Sequence, residues 1–260
     1  HLRFSSFLND SLMKFFISFD SPELKEKALK ISKDLSIELF SYPESYQSKD
    51  FTDDYFLVCS KEKLYLRKGL SANALPIFSD FDDWTKNYDD RLLKNAIKGL
   101  PDNFTCLDVT AGFGKDALEI SKSQNCKSIV LLEKERWTFL LLQDGLNNVT
   151  SLEAIDLLKK FQVFHIDNMK FLKTTNCDFD LIYIDPMFSG VHKSKAKKHM
   201  QALRELSSSL NQTSILDTSL NSANYRVVVK RHKHMDYLEG HKPSRSIEGK
   251  VVRYDIYNTN

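Results

Sequence analysis

No cysteine pair in this chain has the spacing of a metal or redox motif. Cys59, Cys106, Cys126 and Cys177 lie far apart, which excludes a zinc knuckle or a Cys-x-x-Cys pair. Three of them sit in or beside apolar runs, so buried free thiols in a cytoplasmic protein are the expectation. The seven histidines supply no ligand set either, and no metal site is expected. Long apolar runs are also missing. Phe139-Leu-Leu-Leu142 is typical of the longest, whereas a membrane span needs about 20 residues. Leu12-Met-Lys-Phe-Phe-Ile17 is too short for a secretory core, and no cleavage signature follows it. Neither sign of charge dominates: 37 basic and 35 acidic side chains leave +2. That balance neither requires nor excludes nucleic acid, so only a local patch can point to it. Repeats and low-complexity segments are absent. What is present is an ordinary globular composition, 42% hydrophobic and 28% charged over 260 residues. The length suits one large domain, or one domain with a smaller companion.

The most informative stretch is Cys106-Leu-Asp-Val-Thr-Ala-Gly-Phe-Gly-Lys-Asp-Ala117. Apolar Phe104, Cys106, Leu107 and Val109 predict a strand. Gly112 and Gly114 allow a tight turn and a close backbone approach to a ligand. Ala117, Leu118 and Ile120 then open a helical stripe. The pattern G-x-G-x-x-A is a form of the fingerprint for nucleotide-containing cofactors. Alone, two glycines in a turn are more often just a turn. Asp108 strengthens the reading, because a carboxylate before the glycines can accept hydrogen bonds from a cofactor's amino group. A second apolar strand, Lys127-Ser-Ile-Val-Leu-Leu-Glu133, ends in another acid. Glu133 stands 21 positions beyond Gly112, where a ribose-binding carboxylate belongs.

Asp180-Leu-Ile-Tyr-Ile-Asp-Pro-Met-Phe188 is a buried-strand pattern ending in Asp-Pro-Met-Phe. It has the form of the Asp/Asn-Pro-x-aromatic motif of S-adenosylmethionine-dependent amino-methyltransferases. An exocyclic amine on a base is a poor nucleophile, since its lone pair is delocalised into the ring. Asp185 can accept its N–H and orient that lone pair. Pro186 stiffens the turn, and Phe188 can stack on a base taken out of its helix. An isolated D-P-x-F would be read as a proline turn with a core phenylalanine. The glycine turn and Glu133 upstream favour the functional reading.

The stretches Leu107–Ala117, Leu132-Glu-Lys134, Ile184–Phe188, Val227-Val-Val-Lys-Arg231 and Arg253-Tyr-Asp-Ile-Tyr257 resemble the RsmJ-type family of ribosomal RNA guanine-N2 methyltransferases. They cover roughly the last three-fifths of the chain, in family order. The resemblance implies an α/β fold, a Rossmann-like class I methyltransferase sheet, with S-adenosylmethionine as cofactor. It implies small-subunit ribosomal RNA, free or in a ribosomal subunit, as partner. It also adds Lys115, Asp116 and Lys134 as cofactor contacts. The family's glycine- and arginine-rich stretch before the strand is replaced by Lys86-Asn-Tyr-Asp-Asp-Arg91.

The rest of the chain fits that frame. Residues 1–80 read as a small N-terminal α+β lobe: a strand over Met13–Phe19, then a helix begun by Asp20, Ser21, Pro22 and Glu23. Tyr55–Cys59 and Leu64–Leu66 predict a hairpin across Ser60-Lys-Glu-Lys63, and Leu75–Phe78 a further strand. Residues 81–103 read as a connector with a helix burying Leu92, Leu93, Ala96 and Ile97. Residues 104–260 alternate strand and helix, which predicts a parallel sheet covered on both faces. The strands are expected at 104–110, 128–133, 161–166 and 180–185, with Arg226–Arg231 and Val251–Tyr257 as a closing antiparallel pair. Ligands in such sheets bind at the carboxyl ends of the strands, where Asp108, Gly112, Gly114, Glu133, Asp167, Asn168 and Asp185 fall. Asp167 suits an adenine contact and a helix cap equally.

Lys193, Lys195, Lys197 and Lys198 follow the Asp-Pro-Met-Phe, beside the expected base pocket. A lysine run is usually a solvated face, but this position favours phosphate contacts. Residues 226–253 carry eight Lys or Arg against three acids, Lys230 and Arg231 among them, and form a second candidate RNA patch. Three other readings share parts of this pattern: an amino-methyltransferase acting on another base or a protein, a nicotinamide-dependent dehydrogenase, and an inactive RNA-binding protein. The dehydrogenase would leave the Asp-Pro-Met-Phe unexplained. Nothing in the sequence sets an oligomeric state.

Overall fold

The computed structural model describes residues 14–41, 51, 53–69, 75–175, 178–186 and 214–259. The chain forms two compact units, His1–Ile77 and Phe78–Asn260.

In the first unit, strand β1 (Phe15–Phe19) pairs in parallel with β2 (Tyr55–Cys59), and β2 pairs antiparallel with β3 (Leu64–Lys68). The β2–β3 hairpin closes where Ser60 N–H donates to the Lys63 carbonyl at 3.0 Å. The Ser60 hydroxyl accepts from the Glu62 and Lys63 amides. The expected helix starts as a 3-10 turn over Pro22–Leu24, and helix α1 (Lys25–Leu35) follows. Phe16, Phe40, Phe51 and Phe56 interlock, with the Phe16 and Phe56 rings stacked at 5.4 Å. The strand expected at Leu75–Phe78 is reduced to one bridge, Leu66 to Ile77.

The second unit begins with α2 (Phe81–Asn87) and α3 (Arg91–Ile97). Asp80 and Asp90 cap these helices by accepting amides of their first turns. Then come β4 (Phe104–Asp108), α4 (Lys115–Ser121), β5 (Cys126–Glu133), α5 (Arg136–Asn147), α6 (Leu152–Leu158), β6 (Phe161–His165), α7 (Asn168–Thr174) and β7 (Phe179–Ile184). After α8 (Ile215–Leu220) the chain ends in β8 (Ala223–His232), β9 (Arg245–Glu248) and β10 (Val252–Asn258). The strand order is β6-β5-β4-β7-β8-β10-β9. The first five of these run parallel, and β10 lies antiparallel to both β8 and β9. The expected closing pair is β8 and β10, and β8 is also the fifth parallel strand. β9 is an addition that its polar Arg-Ser-Ile-Glu sequence did not signal.

The central strands are buried because both faces are covered, which is why Leu181–Ile184 is almost wholly apolar. Chain order reverses between β4 and β7, so a crevice opens at their carboxyl ends, the usual ligand position in open α/β sheets. Cys59, Cys106 and Cys126 are buried free thiols. Among the described residues, no helix is long and apolar enough to cross a membrane.

Candidate active site

The β4–α4 turn sits at that crevice. Gly112 and Gly114 take φ of +54° and +82°, a region where side chains strain the backbone. A Cβ on Gly114 would lie 2.8 Å from Leu142 Cδ1 and 3.0 Å from Phe81 Cζ. The turn is fixed from outside as well. Ser79 Oγ donates to the Phe113 carbonyl at 2.9 Å, and Gly112 N–H donates to Glu133 Oε2 at 2.9 Å. Glu133, at the end of β5, also accepts from the Glu135 amide through Oε1 at 2.7 Å. Burial pushes its carboxyl up to about 7. Asp108, at the end of β4, accepts from the Thr110 amide at 2.9 Å. It is more deeply buried, and that burial raises it to about 8, opposed by the Thr110 amide.

The second cluster joins β4, α4, β7 and β8. The Asp185 amide donates to Thr110 Oγ1 at 2.7 Å, tying the Asp-Pro turn to the glycine turn. Lys230 Nζ lies 3.0 Å from Asp185 Oδ2 and 2.5 Å from Asp116 Oδ2. Tyr183 OH donates to the same Asp116 oxygen at 2.7 Å, and Tyr88 OH to the other at 3.2 Å. Burial alone would raise the Asp116 carboxyl, but Lys230 and the two hydroxyls hold it below the ordinary range. Burial likewise opposes the Lys230 charge, yet Asp116 and Asp185 keep its pKa well above the ordinary lysine value. The chain of contacts continues outward: Tyr254 OH donates to Asp90 Oδ2 at 2.8 Å, and Tyr88 OH reaches the same oxygen at 3.4 Å.

Asp108, Gly112, Gly114, Glu133 and Asp185 are therefore gathered at one sheet edge, where the strand pattern put them, and Asp116, named only by the resemblance, joins them through Lys230. Pro186 is buried directly after Asp185. Other expected residues have different partners. Lys115 places its ammonium 4.1 Å from the Tyr88 ring centre and 5.2 Å from that of Trp84. Lys134 faces Asp167 at 3.7 Å. Asp167 caps α7, accepting the Lys170 amide at 3.0 Å, so the cap is the role the geometry displays. Asn168 donates to the Val109 carbonyl at 3.1 Å and braces the end of β4.

Four side chains of the second basic patch turn inward, while Lys242, Arg245 and Lys250 stay exposed. Lys230 is in the acidic cluster, and Arg231, 7% exposed, donates to the Asp236 carbonyl. Arg226 donates to the Ala96 and Lys98 carbonyls. Arg253 pairs with buried Asp255 at 2.8 Å. Phe188, Lys193, Lys195, Lys197 and Lys198 lie outside the described residues. Thr110, Tyr183 and Tyr88 were missed from the sequence. Thr110 carried one signal, a hydroxyl inside the glycine turn, while the two tyrosines looked like core and connector.

A family model of SAM-dependent methyltransferases matches residues 45–259. The chain is 31% identical over 261 aligned positions to the ribosomal RNA small subunit methyltransferase J of Coxiella burnetii, covering 96% of this chain and 98% of that protein. The chain belongs to this family of S-adenosylmethionine-dependent methyltransferases. The enzyme of the same name from Francisella philomiragia is 33% identical over 169 residues, 63% of this chain and 70% of that protein. The crystal structure of a SAM-dependent methyltransferase from Neisseria gonorrhoeae superposes with a TM-score of 0.66 at 20% identity, covering 94% of this chain and 96% of that one. It shares the class I methyltransferase fold.

The residues at the sheet edge fit the family's cofactor. A carboxylate offers roughly four acceptor sites. Glu133 uses one on each oxygen for backbone amides, and can still take ribose hydroxyls. Asp108, Asp116 and Asp185 suit a ligand that carries positive charge.

Proposed function

We propose that this protein transfers the methyl group of S-adenosylmethionine to the exocyclic N2 amine of a guanine in small-subunit ribosomal RNA, in the cytoplasm. The observation that carries the reading is the 2.7 Å bond between the Asp185 amide and Thr110 Oγ1. It makes the amine acceptor and the cofactor turn one unit. The cofactor supplies an electrophilic methyl group on a sulfonium. The protein supplies alignment: Asp185 accepts the amine N–H and aims the nitrogen lone pair, which is proximity and orientation catalysis. Pro186 stiffens the turn, and Phe188 stacks on the flipped base. Glu133 holds the ribose, with Gly112, Gly114 and Asp108 around the rest of the cofactor. Lys193, Lys195, Lys197 and Lys198 contact RNA phosphates. Lys230 and Arg231 are left out of that surface, because their cations are turned to Asp116, Asp185 and the Asp236 carbonyl. The names of the relatives support the ribosomal RNA target. The test is methyl transfer from labelled cofactor to small-subunit RNA, free and assembled, followed by nucleoside analysis. Label in N2-methylguanosine is expected; label in another nucleoside, or in protein, would replace the target.

A further inference from the structure

Asp108, Asp116 and Asp185 converge at the carboxyl edge of the sheet, and the Lys230 ammonium pairs with both Asp116 and Asp185. Val229 is the register partner of Ile184 across the parallel β7–β8 pair, so Lys230 enters the cluster beside Asp185. Its side chain is 19% exposed, and those of Asp116 and Asp185 are 12% and 14% exposed. A cation enclosed by two carboxylates at 2.5 and 3.0 Å is not presented to a phosphate. Nor is Asp116 a passive neighbour. It receives Tyr183 and Tyr88 hydroxyls as well as Lys230, so it anchors the ammonium in place. An unanchored lysine would sample several rotamers, whereas this one is set against Asp185. Without it, two carboxylates in a half-dry site would repel, and one would take up a proton or swing away.

We propose that Lys230 is a positioning residue for methyl transfer: anchored by Asp116, it holds the Asp185 carboxylate charged and in one orientation for the substrate amine. This rests on the methyl-transfer reading. Among the described residues, the groups that face Asp185 include Lys230 from β8, Asp116 from α4, Asp108 from β4 and Tyr183 from β7. Tyr88, Asp90 and Tyr254 form the ring behind them.

The experiment compares wild type with Lys230→Met, Lys230→Arg and Lys230→Met/Asp116→Asn. Methyl transfer to small-subunit RNA is followed across pH, together with the 13C-carboxyl titration of Asp185 by NMR in the cofactor-free protein. Lys230→Met should lower kcat about 30-fold or more near neutral pH, with KM for RNA within about threefold. The acidic limb of its kcat profile and the Asp185 titration should both move up by about one pH unit or more, so that alkaline pH recovers part of the rate. Lys230→Arg should restore part of the rate at neutral pH. If Lys230→Met fails to fold, the double variant removes one charge of each sign, and both shifts are expected in the same direction but smaller, because the repulsion from Asp116 goes with the ammonium. An unchanged kcat with a shallower salt dependence of RNA affinity would make Lys230 a phosphate contact and overturn the proposal. So would an equal loss at every pH with an unmoved Asp185 titration, which is the mark of a purely structural residue. Failure of wild type to methylate RNA would instead overturn the methyl-transfer reading, while the NMR titration still tests the hold of Lys230 on Asp185.

Discussion

Thr110 and Asp185 stand 75 positions apart in the chain, and the Asp185 amide donates to the Thr110 hydroxyl at 2.7 Å. The same hydroxyl lies 3.4 Å from Asp108 Oδ1. One side chain thus links the two acids that end β4 and β7. Thr110→Val keeps the shape and deletes the acceptor. Leaving the amide unpaired costs about 1–3 kcal/mol, which corresponds to a Tm lower by roughly 2–10 °C. Methyl transfer should fall about tenfold or more, since the acceptor's position is no longer tied to the turn. Thermal denaturation and single-turnover rates check this. A rate equal to wild type would show that the bond serves the fold alone.

Asp185 itself is tested by two substitutions with opposite demands. Asp185→Ala removes the acceptor, and turnover should drop by several orders of magnitude. Asp185→Asn keeps an acceptor oxygen without the charge, and partial activity should survive. Methyl incorporation into guanine N2 measures both. Full activity in both variants would defeat the mechanism.

Cofactor binding should release protons. Asp108 sits at about 8 in the cofactor-free protein and Glu133 at about 7, both lifted by burial. At neutral pH, Asp108 is mostly protonated and Glu133 about half so. Accepting ribose hydroxyls or a cofactor cation favours the ionised forms, so affinity should rise between about pH 6 and about pH 8. Calorimetry in buffers of different ionisation enthalpy reads the released protons. The sign for stability is the reverse. A carboxyl whose folded pKa is raised stabilises the fold most below its unfolded value, and that contribution is lost as pH rises through about 7 for Glu133 and about 8 for Asp108. The cofactor-free protein should therefore lose stability over that window, and Asp108→Asn should flatten the slope. Glu133→Ala should weaken the cofactor by about 1.5–3 kcal/mol, the scale of a charge-assisted hydrogen bond.

Gly114 should tolerate no side chain. Its φ of +82° and the 2.8 Å approach of a Cβ to Leu142 Cδ1 act together. Gly114→Ala should destabilise the protein by about 2–4 kcal/mol, from left-handed strain plus overpacking. Denaturant unfolding measures it. A change below about 0.5 kcal/mol would mean that the turn shifts freely, and that Phe81 and Leu142 do not hold it.

The parts of this protein legible in its sequence are those set by short-range pattern. Apolar runs marked the central parallel strands, because strands buried on both faces need apolar residues at nearly every position. Two glycines marked the β4–α4 turn, because only glycine enters positive φ without strain. Asp108, Glu133 and Asp185 were found because acids that end buried strands meet at one sheet edge. The tertiary structure alone decided what the charged side chains within strands do. Lys230 and Arg231 read as a basic patch, yet Lys230 meets Asp116 across 114 positions and Arg231 turns to the Asp236 carbonyl. Arg253, counted with the second basic patch, is half of a buried pair with Asp255. Tyr88 lay in a polar connector and became a wall of the acidic cluster. A charge inside a strand is stable only with a partner, and the partner comes from whichever element packs there. That choice depends on contacts dozens of residues apart, and local periodicity carries no record of it.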